Sequence, residues 1–369
     1  MSAYTNILDR ISLDDFKIPL SQVSQDYFPE YLEYQLTNFI KIYEEKFVPL
    51  IDEGIRFNSR KKDVIISKIK TLCYAIIKSV NYFYRGEILS ATQEFNEAMG
   101  KVSFNDLSFL NSIRIPEQTN FYRARVASHI KYEREDLFHV NFNSRHIVST
   151  NRYSIPGLPA LYLGDTSYIC WEEFSQPDLK NLNFSLFRNT KELKIIQLLR
   201  IEDLLNQLDG DKVENIPYIL TYFTFFPLTL ACSIKVKHAA GNFKPEYIIP
   251  QLLLQFISHS NEYDGLKFPS SKIDYSKLHG MTTYNYVFPV KTIKKEGYCN
   301  TLSDMFHCTQ PSSLALEEIA DNPIGTTHRM TSPPDERKIE LIEDLKSSYT
   351  RTSFGKIEYY LAKREIKKI

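Results

Sequence analysis

The chain lacks any excess of charge: Lys and Arg number 45, Asp and Glu number 45, and the formal net charge of its 369 residues is zero. Nothing in the overall balance drives it toward nucleic acid or an anionic membrane, so neither is an expected partner. Cysteine is scarce. Cys73, Cys170, Cys232, Cys299 and Cys308 are scattered, odd in number and free of any C-x-x-C pair. That argues against a disulfide framework and against a cysteine zinc site. No apolar run reaches the roughly 20 residues that span a bilayer. The longest, near Ile248 to Ile257 and Tyr218 to Cys232, are broken by Pro, Gln or Thr. No basic patch and apolar stretch open the chain, so a cytoplasmic protein without a signal peptide is expected. A dinucleotide fold of the Rossmann kind lacks its G-x-G-x-x-G. No histidine precedes His129, which removes a histidine-dependent RNase motif from the N-terminal region. His139, His146 and His238 receive no role, and Cys170 and Cys232 lack the ordered His/Asn context of a cysteine protease. No metal site is expected.

What is present is a globular composition, 43% hydrophobic and 13% aromatic, with a length that favours two or three domains. The first 110 residues read as helical. Leu32, Leu36, Phe39, Ile40, Tyr43 and Phe47 keep the 3.6-residue period, Pro49 and Gly54 end that helix, and Asn58-Ser59 with Asp63 start the next. Ile65, Ile69, Leu72, Ile76, Val80 and Phe83 form its stripe, and a third helix is expected from Gly86 to Met99. Such stripes read as core or as a partner-facing surface. Near Ile113 the texture becomes mixed. Strands are expected at Phe121 to Arg125, Ala160 to Leu163, Leu193 to Ile201, Leu266 to Phe268 and Tyr284 to Val290. Helices are expected at Ile216 to Cys232 and Glu246 to Ser258. After Lys295 the chain is polar, with a break at Ser332 to Pro334, an amphipathic helix expected from Glu336 to Leu345, and a charged end from Lys363 to Lys368.

The stretch with the most chemistry runs Asn151-Arg152-Tyr153-Ser154-Ile155-Pro156-Gly157-Leu158-Pro159-Ala160-Leu161-Tyr162, followed by Glu172-Glu173. Arginine offers a planar fork of donors that matches phosphate oxygens, tyrosine a stacking face and a hydroxyl, and a carboxylate can stabilise a cation developing on a ribose. Each residue also has an ordinary reading: a turn Arg held by local carbonyls, a half-buried strand Tyr, an exposed helix carboxylate. Successive helical positions diverge by about 100°, so at most one of Glu172 and Glu173 should face a cleft squarely, and Glu173 is favoured.

Phe121-Tyr122-Arg123-Ala124 resembles the opening strand of RES domains, a toxin family named for an Arg, a Glu and a Ser. Arg152-Tyr153-Ser154, Pro156-Gly157, Pro159 and Leu161-Tyr162 resemble its next motif. Glu173 falls where the family places its Glu, Gly265-Leu266-Lys267-Phe268-Pro269-Ser270-Ser271 resembles its Ser strand, and Tyr284-Asn285-Tyr286-Val287-Phe288-Pro289 its closing strand. The resemblance covers roughly residues 115 to 292. It departs from the family at Tyr153, which stands for a Trp, in the absence of Gly-Gly before Arg152, and in having two serines, of which Ser270 is favoured.

The resemblance implies an α+β fold, with a mixed-sheet, ADP-ribosyltransferase-like domain at 113–295, an all-α domain at 1–112 before it and a C-terminal extension at 296–369. It implies an NAD-degrading toxin or defence effector that cleaves the nicotinamide–ribose bond by hydrolysis or phosphorolysis, with NAD as substrate. An ADP-ribosyltransferase acting on a macromolecule and an inactive binding module are the alternatives. Glu173, Arg152 and Tyr162 would be catalytic, and Arg123, Ser270, Ser271 and Tyr153 would bind NAD. Inorganic phosphate, an antitoxin protein and a second copy of the chain, met through the N-terminal helices, are the remaining expected partners.

Overall fold

The computed structural model describes residues 13–23, 27–49, 59–103, 111–126, 132–208, 215–238, 240–320 and 336–369. Helices α1 (Phe28–Ile42), α2 (Ser59–Tyr84) and α3 (Ile88–Ser103) come first. Strands β1 (Ser112–Ile115), β2 (Asn120–Val126) and β3 (Ala160–Gly164) lead into a short helix, α4 (Ser167–Glu173). Next are β4 (Leu182–Asn189), β5 (Leu193–Gln197), α5 (Ile201–Leu205), α6 (Ile216–Ser233) and α7 (Ile248–His259). Then follow β6 (Gly265–Phe268), β7 (Leu278–His279), β8 (Asn285–Pro289), α8 (Asn300–Met305) and β9 (Phe306–Thr309). The chain finishes with α9 (Leu314–Ala320), β10 (Lys338–Ile342), β11 (Leu345–Ser348), α10 (Ser353–Ala362) and β12 (Ile366–Lys367). The fold is α+β with a mixed sheet.

The chain divides into two compact units. One comprises residues 1–113, 151–153 and 196–260, the other 114–150, 154–195 and 261–369. This departs from the expected segments 1–112, 113–295 and 296–369 in two ways: residues 196–260 join the helical unit, and the C-terminal extension joins the sheet. The reason for the first lies in α6. Tyr222, Phe223, Phe225, Phe226, Leu228 and Leu230 are all buried, and a helix that is apolar most of the way round needs cover on more than one side. Within the helical unit Phe223 meets Phe16 at 4.9 Å and Phe47 at 4.4 Å between ring centroids. The expected stripes of α1 and α2 are buried there too, from Leu32 and Leu36 to Ile76 and Val80. Pro49 lies inside the described chain, whereas Gly54 and Asn58 fall outside the described residues.

In the other unit the nine-stranded sheet has the order β1-β5-β6-β8-β3-β2-β4-β9-β12, with the division between units falling inside β1 and β5. Its ladders from β6 to β12 are antiparallel. One core joins Tyr122, Ala124, Leu182, Phe184 and Leu186 of the sheet to Ile169 and Cys170 of α4 and to Ile339, Tyr349, Phe354, Ile357 and Leu361. The extension therefore fills the core of this unit, which is why it is no separate domain.

Two expected elements take another form. The helix expected from Glu336 to Leu345 is a hairpin: β10 pairs with β11, and β10 also pairs with β7, Ile339 opposite Leu278. Ile339, Ile342 and Leu345 keep a helical spacing, but only Ile339 is buried while Ile342 and Leu345 are 65% and 52% exposed. Cross-strand pairing outweighs a stripe with nothing to bury against. The strand expected to run to Ile201 stops at Gln197, and Ile201 begins α5, where Arg200 and Asp203 pair at 2.8 Å one turn apart.

Gly355, in the first turn of α10, tests how closely the extension is packed. A Cβ there would lie 2.5 Å from the carbonyl oxygen of Tyr349 and 2.5 Å from Cα of Thr350. Alanine gains about 1 kcal/mol in helix propensity but overpacking typically costs about 1–3 kcal/mol. Gly355→Ala should therefore lower the thermal unfolding midpoint; a raised midpoint would show that this contact yields freely.

Candidate functional site

The site is built where β3 turns into α4. Gly164 ends β3, and a Cβ on it would lie 2.3 Å from Cγ2 of Ile169 and 3.1 Å from Sγ of Cys170. Glycine alone lets α4 lie this close to the strand. Thr166 caps the helix, its hydroxyl accepting from the Ile169 N–H at 3.2 Å. The helix ends at Glu173, after which Ser175 and Gln176 take φ of +61° and +58°. Both lie in the left-handed region that side chains disfavour, so the reversal that leaves Glu173 at a helix end carries strain.

Asn285 sits opposite Gly164 on one side and Phe268 on the other. Directly opposed residues share a face, so its side chain is on the face that carries α4. Its amide donates to Oε1 of Glu173 at 2.6 Å, and the Ser270 hydroxyl donates to the same oxygen at 2.6 Å. Among the described residues Oε2 of Glu173 has no hydrogen-bond partner. One carboxylate oxygen is thus fixed by two donors while the other is unengaged. Lys272 donates through Nζ to the Glu173 carbonyl, closing the C-terminus of α4, and its own N–H donates to Oγ of Ser270 at 3.1 Å. The Ser270 N–H donates to the Tyr275 hydroxyl at 2.8 Å.

Arg123 lies where β2 and β3 separate. Their ladder pairs only Tyr122 with Gly164, whereas β2 pairs with β4 over seven residues. The guanidinium reaches into this opening and donates to the Tyr162 carbonyl at 3.1 Å. Among the described residues it meets no carboxylate. Burial, and then the neighbouring Arg125, pull its pKa down to about 10, so it remains a cation at neutral pH. A half-buried guanidinium that meets no carboxylate among the described residues suits an anion. Burial, and then the carboxylate of Glu358, raise the pKa of the nearby Cys170 thiol well above its usual range.

The other expected residues have other surroundings. Arg152 belongs to the helical unit and donates to the carbonyls of Cys232 and Ile234 at 3.0 and 3.2 Å, with its guanidinium over the Tyr247 ring. It closes the C-terminus of α6, as a cation can. Tyr153, in the same unit, is buried and hydrogen-bonds to Cys232. Tyr162 is half-buried on β3, and its hydroxyl pairs with that of Ser154 at 2.7 Å. Glu172 turns away from Glu173, is buried, and accepts both contacts of the Gln176 amide at 3.2 Å. Among the described residues Ser271 makes no hydrogen bond to Glu173; the hydroxyl there is that of Ser270. Sequence reasoning missed Asn285, whose signal was a lone amide in an apolar strand, and Ser154. Among the described residues no three His, Cys, Asp or Glu side chains gather as a metal-binding group, and no helix is long and apolar enough to cross a membrane.

An α+β protein in which a helix-end glutamate is held by a serine and an asparagine is the class these features define. The chain is similar to a Bacillus subtilis (strain 168) protein named "Putative toxin YopC", at 31% identity over 365 residues, covering 95% of this chain and 79% of the relative. It belongs to that protein's family. No family model matches the chain, and no solved structure matches it.

His139 supplies the pH test. Its Nδ1 meets the Val140 carbonyl at 2.8 Å and its Nε2 accepts the Cys299 N–H at 2.9 Å, so the ring is held neutral. Burial lowers its pKa from 6.5 to about 4. Above pH 6.5 folded and unfolded chains carry the same protons at this ring. As the pH falls from 6.5 to about 4 only the unfolded chain takes one, and stability drops; below about 4 the difference stays constant. Urea unfolding of wild type should lose about 3 kcal/mol more than His139→Gln across this window. Parallel pH profiles would exclude a neutral, buried imidazole.

Proposed function

We propose that this chain is a toxin that consumes NAD, with Glu173, Ser270, Asn285 and Arg123 as the residues that carry the reaction. The observation behind this reading is the Glu173 carboxylate, whose Oε1 is held by two donors at 2.6 Å while Oε2 is unengaged among the described residues. The resemblance to RES domains and the name of the Bacillus subtilis relative support it.

Cleavage of the bond between nicotinamide and ribose sends the bonding electrons to the nicotinamide nitrogen. That nitrogen is cationic beforehand, so the leaving group departs neutral and no strong general acid is required. The ribose carbon becomes oxocarbenium-like, and water or phosphate adds to it. With water, the adding oxygen loses one proton to solvent, and the products are ADP-ribose, nicotinamide and that proton. The free oxygen of Glu173 stabilises the developing positive charge or holds the ribose hydroxyls. Ser270 and Asn285 keep the carboxylate from turning, and so lower the cost of reorganisation when the charge appears. Arg123 binds the pyrophosphate, an anion that matches its fork. The Tyr162 carbonyl accepts from Arg123, and the Tyr162 hydroxyl pairs with that of Ser154. An antitoxin that covers the opening at Arg123, and self-association through α1 to α3, belong to the same proposal.

The test is nicotinamide release from NAD by the purified full chain, with and without inorganic phosphate. Wild type should release nicotinamide. Glu173→Ala should lower kcat about a hundredfold or more with little change in KM, since the charge it meets exists only in the transition state. Arg123→Ala should raise KM about tenfold or more. Dependence on phosphate selects phosphorolysis over hydrolysis. Release only in the presence of a macromolecule that becomes labelled would replace degradation by ADP-ribosyl transfer, and no release at all would remove the NAD reading.

A further inference from the structure

The segment after residue 336 lies outside the region of the RES resemblance, yet it touches both arms of the candidate site. On one side is α4. Oε1 of Glu358, in α10, accepts the Ser167 N–H at 2.7 Å, the Ser167 hydroxyl at 2.9 Å and the Tyr349 hydroxyl at 2.6 Å. Ser167 is the first residue of α4 and Glu173 its last. Phe354 packs edge-on against Tyr168 and tilted against Trp171 of the same helix, at 5.4 and 5.3 Å between ring centroids. On the other side is the loop that carries Ser270. β10 pairs with β7, Lys338 opposite His279 and Ile339 opposite Leu278. The turn before β7 carries Tyr275, whose hydroxyl receives the Ser270 N–H. Ile339 and Ile273 share the core with α4.

We infer that residues 338–361 are a working part of the candidate site, in which Glu358 sets the position of Glu173 and β10 sets that of Ser270. The physical argument is one of length. α4 has seven residues, and an isolated helix below about 12–15 residues is marginal in water. Its orientation is therefore supplied from outside. A carboxylate at its first N–H is the strongest available anchor, because the helix dipole and a charge-assisted hydrogen bond act together there. Moving the anchor moves the far end. Glu173 would then leave the two donors that fix its Oε1, although no group that meets the substrate had changed. Glu358 and Tyr349 are positioning residues on this account. The inference rests on the NAD reading only for the identity of the reaction; the anchoring itself is independent of substrate.

The experiment uses the full chain carrying Glu358→Gln, with Tyr349→Phe as a second variant that removes one donor from the same oxygen. Thermal unfolding verifies that each is folded, and if Glu358→Gln does not fold, Tyr349→Phe carries the test. Amide hydrogen exchange should speed up about tenfold over residues 168–173 and remain unchanged over residues 65–80. For nicotinamide release kcat should fall about tenfold with KM nearly constant. In a Glu173→Gln background the same substitution should cost nothing further, because the group it positions is gone. Unchanged exchange in α4 in both variants, or losses that multiply in the double variant, would overturn the inference. A wild-type chain inactive on NAD would overturn the NAD reading alone, since exchange in α4 is read without substrate.

Discussion

A helix of seven residues cannot fix its own direction, and the candidate site depends on one. α4 is bounded by Ser167 and Glu173, and each end is tied by a charge of the sign its dipole requires. Glu358 holds the first N–H, and the Lys272 ammonium holds the last carbonyl. Between the ends, Ile169 rests on Gly164, where any Cβ would collide. The backbone then reverses through two left-handed residues. These restraints come from four separate stretches of chain, and together they place a single carboxylate. The arrangement accounts for a unit whose core draws on residues from Tyr122 to Leu361: the helix is useful only where the sheet, the Ser270 loop and the C-terminal segment agree.

Much of this was legible in the sequence wherever the local pattern had one solution. The stripes of α1 and α2, the aromatic α6, and strands β2, β3, β6 and β8 follow from periodicity, because each element buries one face or is wholly buried. The resemblance to RES domains singled out Glu173 and Ser270, and the two side chains meet at 2.6 Å. What was not legible depended on distant chain. The segment from Glu336 to Leu345 satisfies a helical period as well as a hairpin, and the choice is made by β7, which is remote in sequence. The grouping of residues 196–260 with the N-terminal helices follows from rings such as Phe16 and Phe223 that no local window contains.

Arginine shows where residue chemistry stops being decisive. The same guanidinium fork suits phosphate oxygens and backbone carbonyls, since both are acceptors at similar spacing. Arg152 meets two carbonyls at the end of α6, within the helical unit. Arg123 meets one, that of Tyr162, and keeps the rest of its fork without a carboxylate among the described residues. The difference arises from whether a helix terminus or a separating strand pair surrounds the side chain, which spacing along the chain does not encode. Asn285 makes the complementary point. Its amide is ordinary in sequence and decisive in register, because its place opposite Gly164 turns it toward the helix that carries Glu173.

Two buried ionisable groups of this unit oppose one another. Asp165, at the junction of β3 and α4, accepts the Thr283 hydroxyl at 2.5 Å and the Tyr284 N–H at 3.0 Å, and burial pushes its pKa up to about 6. Its folded pKa lies above its unfolded value, so falling pH relieves the cost of a buried charge through this window. His139 has the opposite consequence, because its folded pKa lies below the unfolded one. Between about pH 6 and pH 4 the two groups pull the stability of the unit in contrary directions with shifts of similar size. Protonating Asp165 also weakens the acceptor that fixes Tyr284, the residue next to Asn285. Protonation of Asp165 in mild acid therefore acts on the strand that carries Asn285, one of the two donors that fix Glu173.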